Sequence, residues 1–271
     1  MKSCFNTITA GRKKSLEEII AACGAAQFAG IEIDLNHLDA ATHRSSPREI
    51  RDRLADVNLK PVSVMAFDLV PLAEHLVAID RFKRGVEAAH SLGSPLLLVY
   101  CATNIPAGME PDEARTRASQ RAKRYAELAG TIDIGLEPIG RTTLMGRPEQ
   151  AFSIAQGAAI PNVGVVMDTF HFYRAGVTDL RAYPVDEFLM VHVNDAEDIP
   201  IEQLKDANRL HLGRGILPLE SYLRTLAERK YDGFLSVELF RPEYWEQPIT
   251  QVVNEAKESL DKLWEKIGVD L

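Results

Sequence analysis

Short apolar runs rich in β-branched residues alternate along the chain with longer segments that place apolar residues at helical spacing. The runs are continuously apolar, which is typical of parallel strands that are covered on both faces. Eight such runs predict strands, at 4–8, 31–35, 61–67, 96–101, 132–137, 163–168, 188–193 and 234–239. The pattern therefore predicts eight strands, each followed by a helical segment.

Signals for helix starts lie between the predicted strands. Ser15 begins a capping box, and the residues after Ser46 and Arg147 are prolines at the first position of a predicted helix. Two longer segments, 112–130 and 244–267, carry apolar residues at helical spacing and predict helices. Eight strand–helix units in 271 residues indicate an α/β fold, the (β/α)8 TIM barrel.

The alternative architecture is an open doubly wound sheet, which usually carries a glycine-rich phosphate turn after its first strand. Here the first predicted strand is followed by Thr-Ala-Gly-Arg at 9–12, and the chain contains neither a GxGxxG nor a Walker-type motif. No linker or shift in composition divides the sequence. We therefore expect residues 1–271 to form a single barrel domain.

Composition and charge narrow the choice of partners. The chain has 31 Lys and Arg against 39 Asp and Glu, a net charge of −8, which disfavours binding to nucleic acid. It contains no apolar run long enough for a membrane span, and its N-terminal residues lack the apolar stretch that a secretory signal requires. Cys4, Cys23 and Cys101 are widely spaced, which is typical of a reduced, cytoplasmic protein. We expect a small-molecule substrate as the partner, and a homo-oligomer is left open.

Four consecutive predicted strands end in side chains that can bind a metal: Glu137, Asp168, His192 and Glu238. Closure of a barrel directs these ends toward one centre, where three carboxylates without a cation would repel one another. Three carboxylates and one imidazole suit Mn²⁺, Zn²⁺ or Co²⁺, and Mg²⁺ less well because it retains several waters. The sequence thus predicts one divalent metal ion, with Mn²⁺ favoured and coordination positions left for a substrate.

The strings around these residues resemble the xylose-isomerase-like TIM barrel superfamily, the sugar phosphate isomerase/epimerase family. They are Leu-Glu-Pro-Ile-Gly at Glu137, Met-Asp-Thr-Phe-His-Phe at Asp168, Val-His-Val-Asn-Asp at His192 and Ser-Val-Glu-Leu-Phe-Arg-Pro-Glu-Tyr-Trp at Glu238. The resemblance extends from about residue 132 to the C-terminus and is strongest to the inosose (2-keto-myo-inositol) isomerases of bacterial inositol catabolism. It implies that the four residues above bind the metal.

Further site residues follow from the resemblance and from the strand ends. The resemblance implies that His171 and Arg209 contact the substrate. We predict that Glu137 and Glu238 also act as the acid/base pair, because strands five and eight can present them to different sides of a substrate. Pocket-lining positions are expected at the ends of the first two strands and at the start of the last helix. These three expected substrate contacts are Asn6, Glu32 and Trp245.

The predicted function is a metal-dependent isomerase or epimerase of a keto-polyol or keto-sugar, in the intramolecular oxidoreductase class. Proton transfer would proceed through a metal-stabilised enediolate. The alternative is a lyase with the same enolate chemistry, such as a 3-dehydroshikimate dehydratase or a 3-keto-glycoside eliminase. The DNA-repair endonucleases of the superfamily are disfavoured by the net charge and by too few additional histidines. Loops 141–146 and 211–215 depart from the family pattern, so the exact substrate is left open.

Overall fold

A computed structural model of the chain describes residues 1–73 and 76–268. Eight parallel strands close into a barrel, in the order β1-β10-β7-β6-β5-β4-β3-β2, and two short strands form a separate antiparallel ribbon, β8–β9. The strands are β1 (Lys2–Asn6), β2 (Gly30–Asp34), β3 (Lys60–Asp68), β4 (Leu96–Tyr100), β5 (Asp133–Glu137), β6 (Val163–Asp168), β7 (Phe188–Val193), β8 (Asp195–Ala196), β9 (Arg209–Leu210) and β10 (Phe234–Val237). The predicted TIM barrel is confirmed, and each predicted strand matches a barrel strand within two residues at either end.

Ten helices lie within the described residues. They are α1 (Leu16–Ala25), α2 (Leu35–Thr42), α3 (Pro47–Asp56), α4 (Leu76–Leu92), α5 (Pro111–Ala129), α6 (Pro148–Ala158), α7 (Thr169–Arg174), α8 (Leu219–Glu228), α9 (Pro242–Trp245) and α10 (Ile249–Ile267). Ser15 forms the predicted capping box with Glu18, and Ser46, which precedes the predicted helix-start proline, forms a second capping box with Glu49. The predicted helix at 112–130 is α5, displaced by one residue.

The predicted helix at 244–267 is wrong as a single element. Its first residues belong to the short helix α9, and the long helix α10 begins only after Pro248. The cause is local, because a proline in a helix interior removes a backbone donor and clashes with the preceding turn. The break separates Trp245 from α10.

Two connections at the carboxyl ends of the strands are unusually short. β2 leads directly into α2, with Asp34 as the N-cap, and β6 leads directly into α7, with Asp168 as the N-cap. A carboxylate at an N-cap accepts a backbone N–H of the first turn, which fixes its side chain in one orientation. The strand end and the helix start therefore position these two side chains together.

The barrel interior is apolar toward the amino ends of its strands and polar toward their carboxyl ends. Side chains two residues apart on a strand share a face, and Val166 precedes Asp168 by two residues, as Met190 precedes His192. The small inner apolar cluster contains Cys4, Val62, Met65, Leu96, Leu98, Val166 and Met190. A larger cluster fills the space between the barrel and its helices. None of the helices formed by residues 1–73 and 76–268 combines the length and apolar character that crossing a membrane requires.

Candidate active site

The four predicted metal ligands converge where β5, β6, β7 and β10 end. Glu137 and Asp168 are the last residues of β5 and β6, His192 is the next-to-last residue of β7, and Glu238 directly follows β10. All four side chains are buried, and one ligand atom from each lies within 4.8 Å of the others. Barrel closure has therefore brought together residues that are up to 101 positions apart in the sequence.

The imidazole of His192 lies at the centre of this group. Its Nδ1 is 2.9 Å from Glu137 Oε1, 3.3 Å from Glu238 Oε2 and 3.8 Å from Asp168 Oδ2. Its other nitrogen, Nε2, lies 2.9 Å from Glu32 Oε2. Both ring nitrogens of His192 are thus directed at carboxylates, with three on the Nδ1 side and one on the Nε2 side.

Asn6 and Glu32, two of the predicted substrate contacts, are buried beside the candidate ligands. Both side chains have 0% exposure, and neither lines the cavity that opens onto those ligands. The strand register places Asn6 beside Glu32, and Glu32 in turn beside Ser63 on β3. Asn6 Nδ2 donates to Glu238 Oε1 at 2.9 Å, so these side chains point into the barrel interior.

Arg209 is buried and cross-links the acidic side chains. Its Nη1 donates to Asp168 Oδ2 at 2.7 Å and to Glu238 Oε2 at 2.9 Å. Its Nη2 lies 3.2 Å from His171 Nε2 and 3.0 Å from Asp206 Oδ1. The ribbon β8–β9 carries Arg209 back over the barrel opening, so a residue far from any barrel strand reaches the centre of the site.

The electrostatic environment separates the pKa values of the carboxylates. Burial, with the charges of Glu238 and Asp168 added, raises the pKa of Glu137 to about 7 although His192 opposes this shift. Burial would also raise the pKa of Asp168, but the positive charges around it, Arg209 foremost, and the backbone N–H of His171 together outweigh burial and lower that pKa to about 2. Burial would lower the pKa of His192, whereas the surrounding carboxylates, Glu238 foremost, raise it well above its usual value.

The donor set fits a divalent metal. Glu32, Glu137, Asp168 and Glu238 bring four buried carboxylates together, and Arg209 offsets one of their charges. The remaining negative charge is costly in a buried site unless a cation compensates for it. Three carboxylates with one imidazole are ligands that Mn²⁺, Zn²⁺ and Co²⁺ accept, and His192 presents Nδ1 to the same point as the carboxylates.

A cavity of about 390 Å³ opens onto this group. Glu137, Glu238, His171 and Arg209 line it, whereas Asp168 and His192 lie behind the two glutamates. His171 and Arg209, two of the predicted substrate contacts, therefore line this cavity. Trp245, a third predicted contact, lines an adjoining cavity of about 340 Å³ instead.

Several polar residues of the cavity were not predicted from the sequence. They are Arg12, Asp34, Arg81, Tyr100 and Asp206. Asp34 and Tyr100 are the last residues of β2 and β4, so the same strand-end rule that identified the metal ligands could have identified them. Arg12 and Arg81 lie in a loop and a helix, where the sequence contains no signal for their position.

Comparisons with known proteins agree with this fold. The model of the family described as xylose isomerase-like TIM barrel matches residues 18–263. An inosose isomerase of Halalkalibacterium halodurans is 27% identical, with 96% of this chain and 95% of the relative covered. A 3-dehydroshikimate dehydratase of Pseudomonas putida is 26% identical over 95% of this chain and 41% of that longer protein. The crystal structure of the IolI protein with a bound zinc atom superimposes with a TM-score of 0.89 at 25% identity, covering 98% of this chain and 99% of that one.

Proposed function

This chain belongs to the xylose isomerase-like TIM barrel family, and from that premise we propose that it is a metal-dependent isomerase or epimerase of a keto-polyol or keto-sugar. Glu137, Asp168, His192 and Glu238 hold one divalent metal ion in this proposal. The inosose isomerases that match nearly the whole chain support this substrate class. The zinc atom bound in the IolI structure supports the metal.

One observation carries the proposed mechanism: of the four candidate ligands, only the two glutamates line the cavity. Glu137 is the last residue of β5 and Glu238 directly follows β10, and β6 and β7 lie between these strands in the barrel. The two carboxylates therefore approach a substrate from different sides. Glu137 and Glu238 form the acid/base pair. One removes the proton from the hydroxyl-bearing carbon next to the carbonyl, the other returns a proton to the former carbonyl carbon, and the hydroxyl proton passes to the former carbonyl oxygen.

The other residues of the site bind and orient the substrate. When bound, the metal supplies a Lewis acid that polarises the substrate carbonyl. Arg209 holds Glu238 in place through its 2.9 Å hydrogen bond, and His171 faces the cavity beside it. Arg12, Arg81 and Tyr100, which also line the cavity, offer hydrogen bonds to hydroxyl groups. A cavity with this many polar groups suits a polyhydroxylated substrate.

The metal and the compartment are finer parts of the same proposal. We assign Mn²⁺ as the working ion, which the predominance of carboxylate ligands supports. We place the protein in the cytoplasm, which is supported by three buried cysteines that are all unpaired.

The second candidate function is a lyase, favoured by the match to 3-dehydroshikimate dehydratases. It would use the same proton abstraction but expel a group from the next carbon. The test incubates the metal-loaded protein with keto-inositols and, separately, with 3-dehydroshikimate in D₂O, and follows the products by NMR. Deuterium in the position next to the carbonyl, with no group lost, is the expected result. An aromatic or enone product would show that the protein is a lyase and not an isomerase. Inactivity on all substrates with Mn²⁺ present would exclude both functions.

A further inference from the structure

The carboxylate of Glu32 accepts four hydrogen bonds in a fully buried position. His192 Nε2, Asn6 Nδ2 and Ser236 Oγ lie against its Oε2, and Ser63 Oγ lies against its Oε1, each at 2.9 Å. An ionised carboxylate only accepts, so every one of these groups must donate to it. A hydrogen bond from His192 to Glu32 therefore requires a proton on Nε2.

This hydrogen bond determines what His192 presents to the candidate ligands. When Nε2 holds a proton, a metal can take the lone pair of Nδ1 once the proton on that nitrogen has left, and Nδ1 faces Glu137 and Glu238 at 2.9 and 3.3 Å. A carboxylate behind a ligating imidazole fixes the ring orientation and raises its basicity. Glu32 does both, since its side chain is fully buried and, besides His192, is held by Asn6 on β1, Ser63 on β3 and Ser236 on β10.

Asn6 extends the same network to a second ligand. Its Oδ1 accepts the backbone N–H of Ile8 at 3.0 Å, so the amide can adopt only one orientation. Its Nδ2 then donates to Glu32 Oε2 and to Glu238 Oε1, both at 2.9 Å. Glu238 keeps its other oxygen for the side that faces Arg209 and His192. Asn6 thus links the orientation of Glu238 to that of Glu32.

We propose that Glu32 and Asn6 are positioning residues that hold His192 and Glu238 in the arrangement that binds the metal. They do not touch the substrate. The inference rests on the metal site of the proposed function but is independent of which reaction that site performs.

Substitution of Glu32 with glutamine and with alanine separates charge from packing. In Glu32→Gln the amide oxygen still accepts from His192, and the amide nitrogen can donate to Ser63, whose hydroxyl can rotate to accept. We therefore expect the barrel to fold. The matched control is Asp133→Asn, which removes a carboxylate at the start of β5, at the opposite end of the barrel from the site. Zn²⁺ affinity is measured by competition with a chelator on the full chain, and folding by circular dichroism.

We expect Zn²⁺ binding about 10-fold weaker in Glu32→Gln and about 100-fold weaker in Glu32→Ala, with Asp133→Asn unchanged within about threefold. A second readout is the ¹⁵N NMR spectrum of the Zn²⁺-loaded protein, in which the His192 Nε2 proton is detected in the wild type and shifts in Glu32→Gln. Equal Zn²⁺ affinities in folded wild-type and Glu32→Gln proteins would overturn the inference alone. A wild-type chain that binds no divalent metal would overturn the proposed function as well.

Discussion

Replacing Arg209 by methionine tests how the buried charges of the site are held together. The guanidinium is 1% exposed and donates to Asp168 at 2.7 Å and to Glu238 at 2.9 Å. It also lies 4.8 Å from the ring centre of Phe170 and 5.1 Å from that of Phe240. Methionine can fill much of this space between the rings, but it leaves both carboxylates without their shared donor.

The magnitude follows from the burial of the pair. Removing one partner of a buried ion pair costs about 3–5 kcal/mol, because the remaining charge is buried and uncompensated. For a chain of this length that loss lowers the melting temperature by about 10 °C. A bound divalent cation compensates for the same carboxylates, so we expect the loss of stability to be smaller in the metal-loaded protein.

The assay is urea unfolding of wild-type protein and Arg209→Met, each with EDTA and with saturating Zn²⁺. Arg84→Met is the control, since Arg84 forms an exposed ion pair with Asp39 that contributes at most about 1 kcal/mol. A loss below about 1 kcal/mol for Arg209→Met in EDTA would refute the electrostatic reasoning. So would a loss that does not depend on the metal.

Three further predictions concern the metal, the acid/base pair and a remote histidine. Treatment with EDTA should abolish deuterium exchange into the substrate, and added Mn²⁺ should restore it; exchange that survives chelation would contradict the metal site. At saturating metal, Glu137→Gln should slow exchange by about 10²–10⁴-fold while Glu149→Gln, on the outer helix α6, leaves it unchanged; an equal rate would remove Glu137 from the acid/base pair. Burial, with the charge of Arg214 added, lowers the pKa of His211 to about 4. The unfolded chain therefore binds a proton at His211 before the folded chain does, so the free energy of unfolding should fall by about 3 kcal/mol as the pH falls from 6.5 to 4. In His211→Phe, which can keep the stacking on Tyr244, urea titrations should show a smaller fall over the same pH range. An unchanged pH profile would contradict it.

The barrel was predictable because its strands are recognisable one at a time. Each run of apolar, β-branched residues can be identified from its own local sequence. Because the carboxyl ends of barrel strands meet at one site, the residues at those ends, Glu137, Asp168, His192 and Glu238, could then be placed together. The long C-terminal helix was predicted as continuous because apolar spacing outweighed the single Pro248, although proline decides the local backbone.

Depth within the barrel was not predictable from the strand ends. Asn6 and Glu32 lie on strands that end at the site, but both side chains are fully buried against Glu238 and His192 and do not line the cavity, which only the three-dimensional contacts reveal. Arg209 presents the opposite case. The sequence resemblance indicated that Arg209 contacts the substrate. Its ion pairs with Asp168 and Glu238 depend on the ribbon β8–β9, whose strands of two residues each are too short to produce a recognisable strand pattern in the sequence.

A crystal of the protein soaked in Mn²⁺ and measured at a wavelength where manganese scatters anomalously tests the central claim most directly. The account predicts one strong anomalous peak surrounded by Glu137, Asp168, Glu238 and Nδ1 of His192, with Nε2 still bonded to Glu32. A peak at other residues, or none among these four at saturating Mn²⁺, would contradict it.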